Sequence, residues 1–213
     1  MGKIMPAAKI KKTFETQLLL SAINRTHYAK TERAPIVSLK NQDAILKASL
    51  MDTPLGQMIA IASDDALYYL KFIDCEDSEQ DMSRFQQRTQ CLIVPGKTEP
   101  IESIESELTT WFSQRLNTFK TPLCLLGSPF QNSAWEALRD IPYGETQSYV
   151  EQATAIGKPF ACRAVANAYK ANPLAIVIPC HRIIHRNGSI GGYNGGQDRK
   201  RWLIHHEKNL VTG

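Results

Sequence analysis

Residues 148–173 read SYVEQATAIGKPFACRAVANAYKANP and contain two short helical patterns separated by a glycine. Ser148 and Glu151 form a capping-box pair at the start of the first pattern, so we predict a helix from there to Gly157. Pro159 is predicted to begin the second helix, which runs to the asparagine–proline pair because proline cannot continue a helix. Two helices around a glycine-containing turn are typical of a helix-turn-helix.

The second predicted helix carries a polar stripe. Arg163, Asn167 and Lys170 are spaced i, i+4, i+7 and therefore lie on one face. The small residues Cys162 and Ala166 beside this stripe would let the backbone approach a narrow groove closely. Taken alone, the same spacing fits an amphipathic surface helix with a charged outer face. Polar residues at this spacing more often belong to such a helix than to a binding surface.

Strand patterns precede this segment. Residues 45–51, 57–62 and 66–73 are separated by turn-forming residues, so we predict a small antiparallel meander. Residues 74–84 are acidic and are predicted to form a surface loop. The sequence therefore places a sheet in the N-terminal half of the chain.

Two proline-initiated helices are predicted between the strands and the helix pair. Pro100 opens the first, and Ser128 is the N-cap of the second, with Gln131 closing a capping box. Beyond the helix pair we predict an extended apolar stretch (residues 174–178), a glycine-rich loop (188–196) and a closing helix (198–208).

Composition excludes several classes of protein. The 213 residues are 43% hydrophobic, with a mean hydropathy of −0.29, which is enough apolar material for a folded core and excludes general disorder. No apolar run approaches the roughly 18 residues of a membrane span, and no apolar signal region is evident. The five cysteines are scattered without a Cys-x-x-Cys pair, which argues against a disulfide framework. We expect a cytoplasmic protein.

Charge is unevenly distributed along the chain. The overall net charge is +4, but residues 1–47 carry +6, residues 48–107 carry −8 and residues 158–201 carry +7. Such a basic segment suggests a polyanion-binding face in the C-terminal half. A solvated basic surface would look the same from charge alone.

Residues 178–182 read IPCHR and carry the candidate chemistry. A cysteine thiolate is a nucleophile, and a neighbouring base or cation favours its formation. Adjacent side chains of an extended chain point in opposite directions, so His181 can assist Cys180 only if the chain turns there or a water intervenes. Two alternatives stay open: a buried structural cysteine, and a zinc site with His185, whose spacing matches no common site.

Six motifs in combination resemble the O6-alkylguanine-DNA alkyltransferase family. They are GETxSY (144–149), RAVxxA (163–168), Asn172-Pro173, IPCHR (178–182), GGYNGG (191–196) and KxWLxxHE (200–207). The resemblance covers about residues 45–208. It implies DNA repair by irreversible, single-turnover transfer of an alkyl group from O6 of guanine, and often from O4 of thymine, to the protein's own cysteine. It implies no cofactor and no metal.

The resemblance also implies a fold and a domain plan. The expected class is α/β (α+β), with an N-terminal three-stranded antiparallel sheet and helix, ribonuclease H-like, before a helical, winged helix-turn-helix-like catalytic domain. The expected domains are residues 44–122 and 123–213, with the helix-turn-helix at about 147–171. Residues 1–43 would be an extension of unknown role.

The expected partner is double-stranded DNA containing O6-alkylguanine, bound through its minor groove by a monomer, with no membrane involved. By resemblance, Arg163 takes the place of the extruded base and Tyr149 crowds the adjoining phosphate. Three further residues match positions that touch the DNA backbone in relatives: Val150, Lys158 and Arg186.

For catalysis, the resemblance assigns Cys180 as the nucleophile and His181 as a base acting through a water. Glu207 would orient the imidazole, which is the logic of a catalytic triad. Asn172 would hold the Pro-Cys-His turn against the preceding helix.

The resemblance assigns the alkylguanine pocket as well. Tyr193 would donate its phenolic proton to N3 of guanine, and the backbone N–H of Asn194 would bind O6. The carbonyl groups of Cys180 and Ile183 would accept from the exocyclic amine, and Tyr169 would form one wall.

Two alternative functions come from other classes. A non-catalytic helix-turn-helix protein that binds damaged DNA would lack the cysteine nucleophile, whereas Cys180 is present. A cysteine hydrolase using Cys180 and His181 would turn over many times, so a stoichiometry count separates it from a single-turnover transferase.

Overall fold

A four-stranded sheet forms the first half of the described chain, which is residues 45–211 of a computed structural model. The predicted extension, residues 1–43, lies outside the described residues. Strand order is β3-β2-β1-β4, with β1, β2 and β3 antiparallel and β4 parallel to β1. The strands are β1 (Ile45–Met51), β2 (Met58–Ala62), β3 (Leu67–Phe72) and β4 (Leu92–Pro95).

The predicted meander is confirmed to within one residue at each strand end. The prediction of a three-stranded sheet was wrong, because β4 adds a fourth strand along β1. That strand has four residues, LIVP, with too little alternation to mark it as a strand. Only pairing with the edge of β1 makes it one.

The acidic loop predicted over residues 74–84 is only partly correct. Residues 74–77 form a turn, but Ser78–Thr89 form a helix, α1. Of its two acidic residues, Glu79 is exposed and Asp81 is buried, while Phe85 packs its ring 5.0 Å from that of Tyr69 on β3. The buried residues Asp81, Phe85 and Thr89 define the inner face. Such a face is too narrow to give a clear helical period in the sequence.

Both proline-initiated helices are confirmed. Helix α2 (Glu99–Phe112) buries Ile101, Ile104 and Leu108 along one side. Helix α3 (Pro129–Arg139) begins with the predicted capping box. Ser128 Oγ accepts a hydrogen bond from the backbone N–H of Gln131, and the Gln131 side chain accepts one from the Ser128 N–H. These bonds satisfy two N–H groups that a helix start leaves unpaired.

The helix pair is present, but its second helix begins later than predicted. Helix α4 (Tyr149–Ala155) follows the two-residue strand β5 (Gln147–Ser148), and helix α5 spans Cys162–Lys170. Pro159 does not start α5, because the backbone first closes a turn in which Ala161 N–H donates to the Lys158 carbonyl at 2.8 Å. The helix begins only once that turn is complete.

The stretch predicted to be extended, residues 174–178, is instead a buried turn. Leu174 makes an isolated bridge to Leu70 of β3, and Ile176 has a φ of 71°. The residues are apolar because they are buried, and not because they form a strand. A 3-10 turn at Cys180–Arg182 follows this buried turn. Strand β6 (Ile183–Ile184) comes next and pairs with β5. The last element is helix α6 (Gln197–Val211).

The core has one cluster on each face of the sheet. Met58 and Ala60 of β2 pack in the cluster that includes helices α2, α3 and α5. Ile59 and Ile61 pack in the cluster that includes α1 and β4, as expected for alternation along a strand. The larger cluster extends from the sheet to the C-terminal helices and includes Trp111, Trp135 and Leu203. Within residues 45–211, no helix is both long and apolar enough to cross a membrane.

Candidate active site

The chain turns sharply at the candidate nucleophile. The Cys180 N–H donates to the Ile178 carbonyl at 2.8 Å, and the Arg182 N–H donates to the Pro179 carbonyl at 2.9 Å. His181 can assist Cys180 if the chain turns between them. This 3-10 turn meets that condition, because the chain is not extended there.

Asn172 fixes the position of the thiol. Its Nδ2 donates to the Ile178 carbonyl at 2.9 Å and to Cys180 Sγ at 3.2 Å, while its Oδ1 accepts from the Leu174 N–H at 3.0 Å. The side chain is buried, so these contacts are shielded from water. A donor directed at sulfur stabilises the thiolate form more than the thiol.

His181 and Arg182 both bind the carboxylate of Glu207. His181 Nε2 lies 2.9 Å from Oε1, and Arg182 makes two hydrogen bonds, from Nε at 2.8 Å and from Nη2 at 3.0 Å. His181 Nδ1 is buried and has no hydrogen-bond partner among the described protein atoms. Since Nε2 donates to the carboxylate, neutral His181 presents the Nδ1 lone pair as a proton acceptor.

The protonation states follow from burial and charge. Burial would raise the pKa of Glu207. The charge that His181 carries when protonated, the hydrogen bonds from His181 and Arg182, and the guanidinium charge together lower it to about 2. Burial lowers the pKa of His181 and raises that of Cys180. At neutral pH the resting site therefore holds a thiol, a neutral imidazole and a carboxylate, so the nucleophile forms only when its proton is removed.

A cavity of about 440 Å³ opens over the sulfur. This volume is in the range of small-molecule sites. The Tyr193 hydroxyl is buried and has no partner among the described protein atoms, whereas the Tyr169 hydroxyl donates to Gln152 Oε1 at 2.7 Å and so fixes its ring. The lining residues are Cys180, Tyr149, Tyr169, Tyr193, Asn194, Gly192, Ala166, Asn167, Lys170, Glu76 and Asp77.

The structure places most of the predicted pocket residues together. Tyr169, Tyr193 and Asn194 line the cavity that contains Cys180. Ile183 lies in strand β6, where it pairs with Gln147. Tyr149, predicted to touch DNA, lines the same cavity, and its ring centroid lies 6.2 Å from that of Tyr169.

The predicted DNA-contacting residues lie on the helix pair or in its turn, except Arg186, which follows strand β6. Lys158 in the turn and Arg163 on α5 are exposed. Val150, which is 43% exposed, and Arg186 line a second cleft of about 370 Å³ beside α4. Arg163 and Asn167 lie on the exposed side of α5, as the polar stripe predicted.

Two charged residues at the site were missed by sequence reasoning. Arg182 is buried, and besides Glu207 it binds the Ile141 carbonyl at 2.6 Å. Lys200 is fully buried, and its Nζ donates to the carbonyls of Gly191 and Gly192 at 3.4 and 3.2 Å. Burial lowers the pKa of Lys200 to about 8. Arg182 lies in the IPCHR motif and Lys200 in the KxWLxxHE motif. Nothing in the sequence indicates that either side chain is buried.

The zinc alternative lacks a ligand set. Across residues 45–211, no three His, Cys, Asp or Glu side chains are grouped so that they could hold a metal ion. His181 has its Nε2 committed to Glu207. The geometry is that of a half-buried thiol beside a buried acid–base pair.

Comparisons with known proteins identify the relatives of this chain. A family model described as the DNA-binding domain of 6-O-methylguanine DNA methyltransferase matches residues 129–209. A methylated-DNA–protein-cysteine methyltransferase of Mycobacterium leprae is 38% identical over 161 residues, covering 76% of this chain and 92% of the relative. The constitutive enzyme of that name in Bacillus subtilis is 38% identical over 158 residues, covering 74% and 92%.

Solved structures give the same result. The Mycobacterium tuberculosis OGT crystallised with DNA is 36% identical, with a TM-score of 0.66, and the match covers 78% of this chain and 94% of that one. An O6-methylguanine-DNA methyltransferase from Pyrococcus kodakaraensis, 20% identical with a TM-score of 0.57, shares the mixed α/β fold. The chain therefore belongs to the methylated-DNA–protein-cysteine methyltransferase family.

Proposed function

We propose that this protein repairs alkylated DNA by transferring the alkyl group from O6 of guanine to Sγ of Cys180, once per molecule. It is a methylated-DNA–protein-cysteine S-methyltransferase, and O4-alkylthymine is included in the proposed substrate range. The observation that carries the proposal is the half-buried thiol at a cavity, beside a histidine that binds Glu207 through Nε2 and whose Nδ1 has no partner among the described protein atoms.

The transfer is a displacement at the alkyl carbon. The Cys180 thiol proton passes through a water to His181 Nδ1, and the sulfur attacks the alkyl carbon as its bond to O6 breaks. The electron pair of that bond stays on the guanine, which takes a proton at N3 from the Tyr193 hydroxyl. Water then carries the His181 proton to the Tyr193 phenolate, and the guanine proton shifts from N3 to N1. Glu207 stabilises the imidazolium that forms. The products are unmodified guanine and a thioether that no step reverses.

The guanine would be held by groups around the cavity. The backbone N–H of Asn194 binds O6, the carbonyl groups of Cys180 and Ile183 accept from the exocyclic amine, and Tyr169 forms a wall. The buried and unpartnered Tyr193 hydroxyl supports its role as a donor, because such a group gains a hydrogen bond when substrate enters.

The target base must leave the duplex to reach Cys180. We assign α5 to the minor groove, with Arg163 filling the vacated stack and Tyr149 crowding the adjoining phosphate. The backbone contacts are assigned to Val150, Lys158 and Arg186, all of which lie on or beside the helix pair. The protein would act as a monomer inside the cell, where its DNA substrate is found.

We propose the finer architecture on similar grounds. Residues 44–122 would form a ribonuclease H-like domain and residues 123–213 a winged helix-turn-helix-like domain, with the helix-turn-helix at about 147–171 and residues 1–43 as an extension. The order of elements supports this division, since the sheet and two helices precede residue 123 and the helix pair with its two-stranded ladder follows it.

Intact mass spectrometry tests the proposed function. After incubation with a duplex containing O6-methylguanine, each protein molecule should gain one methyl group, and the repaired DNA should not exceed the protein in amount. A cysteine hydrolase would process substrate in excess of the protein and leave its mass unchanged. A protein that only binds damaged DNA would change neither its own mass nor the duplex.

DNA affinity should depend steeply on salt. If residues 158–201 position the protein through phosphates, the logarithm of affinity should fall linearly with the logarithm of salt concentration as counterions are released. Fluorescence anisotropy with a labelled duplex measures this slope. A flat response with binding retained would mean that the basic segment is only solvated surface.

Replacing Arg163 with alanine should slow repair of duplex DNA roughly ten- to a hundredfold. The vacated stack is then unfilled, and extrusion costs a few kcal/mol, with each 1.36 kcal/mol worth about tenfold in rate. The free base O6-benzylguanine needs no extrusion, so its reaction should keep close to the original rate. Single-turnover rates for the two substrates give the comparison.

Arg115→Ala serves as the matched control, because this exposed arginine lies outside the basic segment. It should leave both rates unchanged. If Arg163→Ala slows the free base as much as the duplex, Arg163 supports the pocket itself and the base-flipping role is wrong.

A further inference from the structure

Helix α1 contacts both sides of the cavity through two carboxylates. Asp77, at the N-cap of the helix, accepts a hydrogen bond from Lys170 Nζ at the end of α5, with 2.9 Å between the atoms. Asp81 Oδ2 accepts a hydrogen bond from Asn194 Nδ2 in the glycine-rich loop at 2.7 Å. The two aspartates are four residues apart and therefore share one face of the helix.

Asp81 is itself held rigidly. Its side chain is 8% exposed, and it forms an ion pair with Lys71 of β3, which is equally buried. Arg84 Nη1 lies 3.3 Å from its other oxygen. The carboxylate that receives Asn194 is therefore fixed to the sheet, and it is not free to follow the loop.

The backbone of the loop that carries Asn194 is bound by Lys200 at the Gly192 carbonyl and by Arg199 at the Gly195 carbonyl, and the Asn194 side chain adds the contact to Asp81. Asn194 lies between Gly192 and the pair Gly195-Gly196, and the last of these has a φ of +93°. Glycines allow the backbone many conformations. Besides the bond to Asp81, Asn194 Nδ2 lies 3.4 Å from the Lys170 carbonyl, so one amide group joins the loop, α1 and α5.

We propose that Asp81 is a positioning residue for alkyl transfer: by holding the Asn194 side chain, it fixes the backbone N–H of Asn194 where O6 of the bound guanine lies. This inference rests on the proposed function. Charge develops on O6 as the alkyl bond breaks, and a donor helps only if it is already in place. Asp81 touches neither the guanine nor the sulfur, and it acts through Asn194.

A charge swap tests the pair. Asn194→Asp places two carboxylates opposite each other and should lower the single-turnover rate at saturating O6-benzylguanine by about tenfold or more, the range for a lost hydrogen bond to a charged group. In the double variant that also carries Asp81→Asn, the new amide at position 81 can donate to the new carboxylate at position 194. The double variant should therefore recover most of the rate. Asn194→Ala should be slowed less than Asn194→Asp.

Iodoacetamide provides a second readout, because it alkylates the thiol without using the O6 site. Its reaction with Cys180 should be unchanged in Asn194→Ala, Asn194→Asp and the double variant. Glu79→Gln is the matched control, since it removes an exposed carboxylate from the same helix. It should keep the full rate with both reagents.

Three results would overturn the inference. Asn194→Asp could react at the full rate, the folded double variant could stay as slow as Asn194→Asp, or the iodoacetamide and O6-benzylguanine rates could fall together. If Asp81→Asn prevents folding, the comparison of Asn194→Ala and Asn194→Asp with the unchanged protein still decides. Failure of the unchanged protein to accept a methyl group from O6-methylguanine DNA would reject the proposed function itself.

Discussion

Replacing Cys180 with serine is expected to abolish alkyl transfer while DNA affinity stays close to that of the unchanged protein. A serine hydroxyl is a far weaker nucleophile than a thiolate at neutral pH, and His181 as a neutral base cannot compensate for that difference. DNA binding should persist because the helix pair and the basic residues do not depend on the sulfur. A duplex carrying a labelled methyl group measures transfer, and anisotropy measures binding.

Cys124→Ser is the matched control. This half-buried thiol packs against the core cluster that contains Ile59 and Ile61, and it does not line the cavity. It should transfer the methyl group at the original rate. Peptide mapping of the unchanged protein should find the label on Cys180 alone. Label on any of the other four cysteines, or transfer by Cys180→Ser, would show that Cys180 is not the acceptor.

Replacing Glu207 with glutamine should slow duplex DNA and free O6-benzylguanine alike, by about a hundredfold or more. The change removes the carboxylate that stabilises the His181 imidazolium, and general base catalysis is worth roughly a hundred- to ten-thousandfold. The pKa of Glu207 is about 2, so the wild-type carboxylate is ionised throughout the assay range. Arg163→Ala, in contrast, is expected to slow duplex DNA only.

The same change also weakens the pairing of the buried Arg182 guanidinium, so the melting temperature should fall. Rates must therefore be measured well below that temperature. Glu145→Gln, at an exposed carboxylate beside the turn that contacts Glu207 through Gly144, should change neither rate nor stability. A Glu207→Gln protein that is folded and slow only with duplex DNA would contradict the relay.

Local signals predicted the elements that depend on neighbours along the chain. The capping boxes at Ser128 and Ser148 start helices as expected, and turn-forming residues separate the three strands of the meander. These features rest on contacts within a few residues, so their pattern is visible without a fold. The same reasoning put the start of α5 at Pro159, because a proline at a turn and a proline at a helix start look alike.

Elements defined by packing were misjudged. Strand β4 exists because β1 offers an edge, and α1 exists because Phe85 and Asp81 find partners on β3. Residues 174–178 are apolar because the core surrounds them. Periodicity cannot tell a strand from a buried turn when no polar residue marks an exposed side.

For the site, the sequence by itself determined the order and identity of the motif residues, and through their resemblance the family and the roles proposed for Cys180, His181 and Glu207. Only the tertiary structure decided how those residues meet. Arg182 binds a carboxylate 25 positions away, and Asn194 binds one 113 positions away. Such pairs form when packing brings distant segments together and removes water, which raises the cost of leaving either partner alone. The spacing of residues along the chain does not indicate which distant residues will pair.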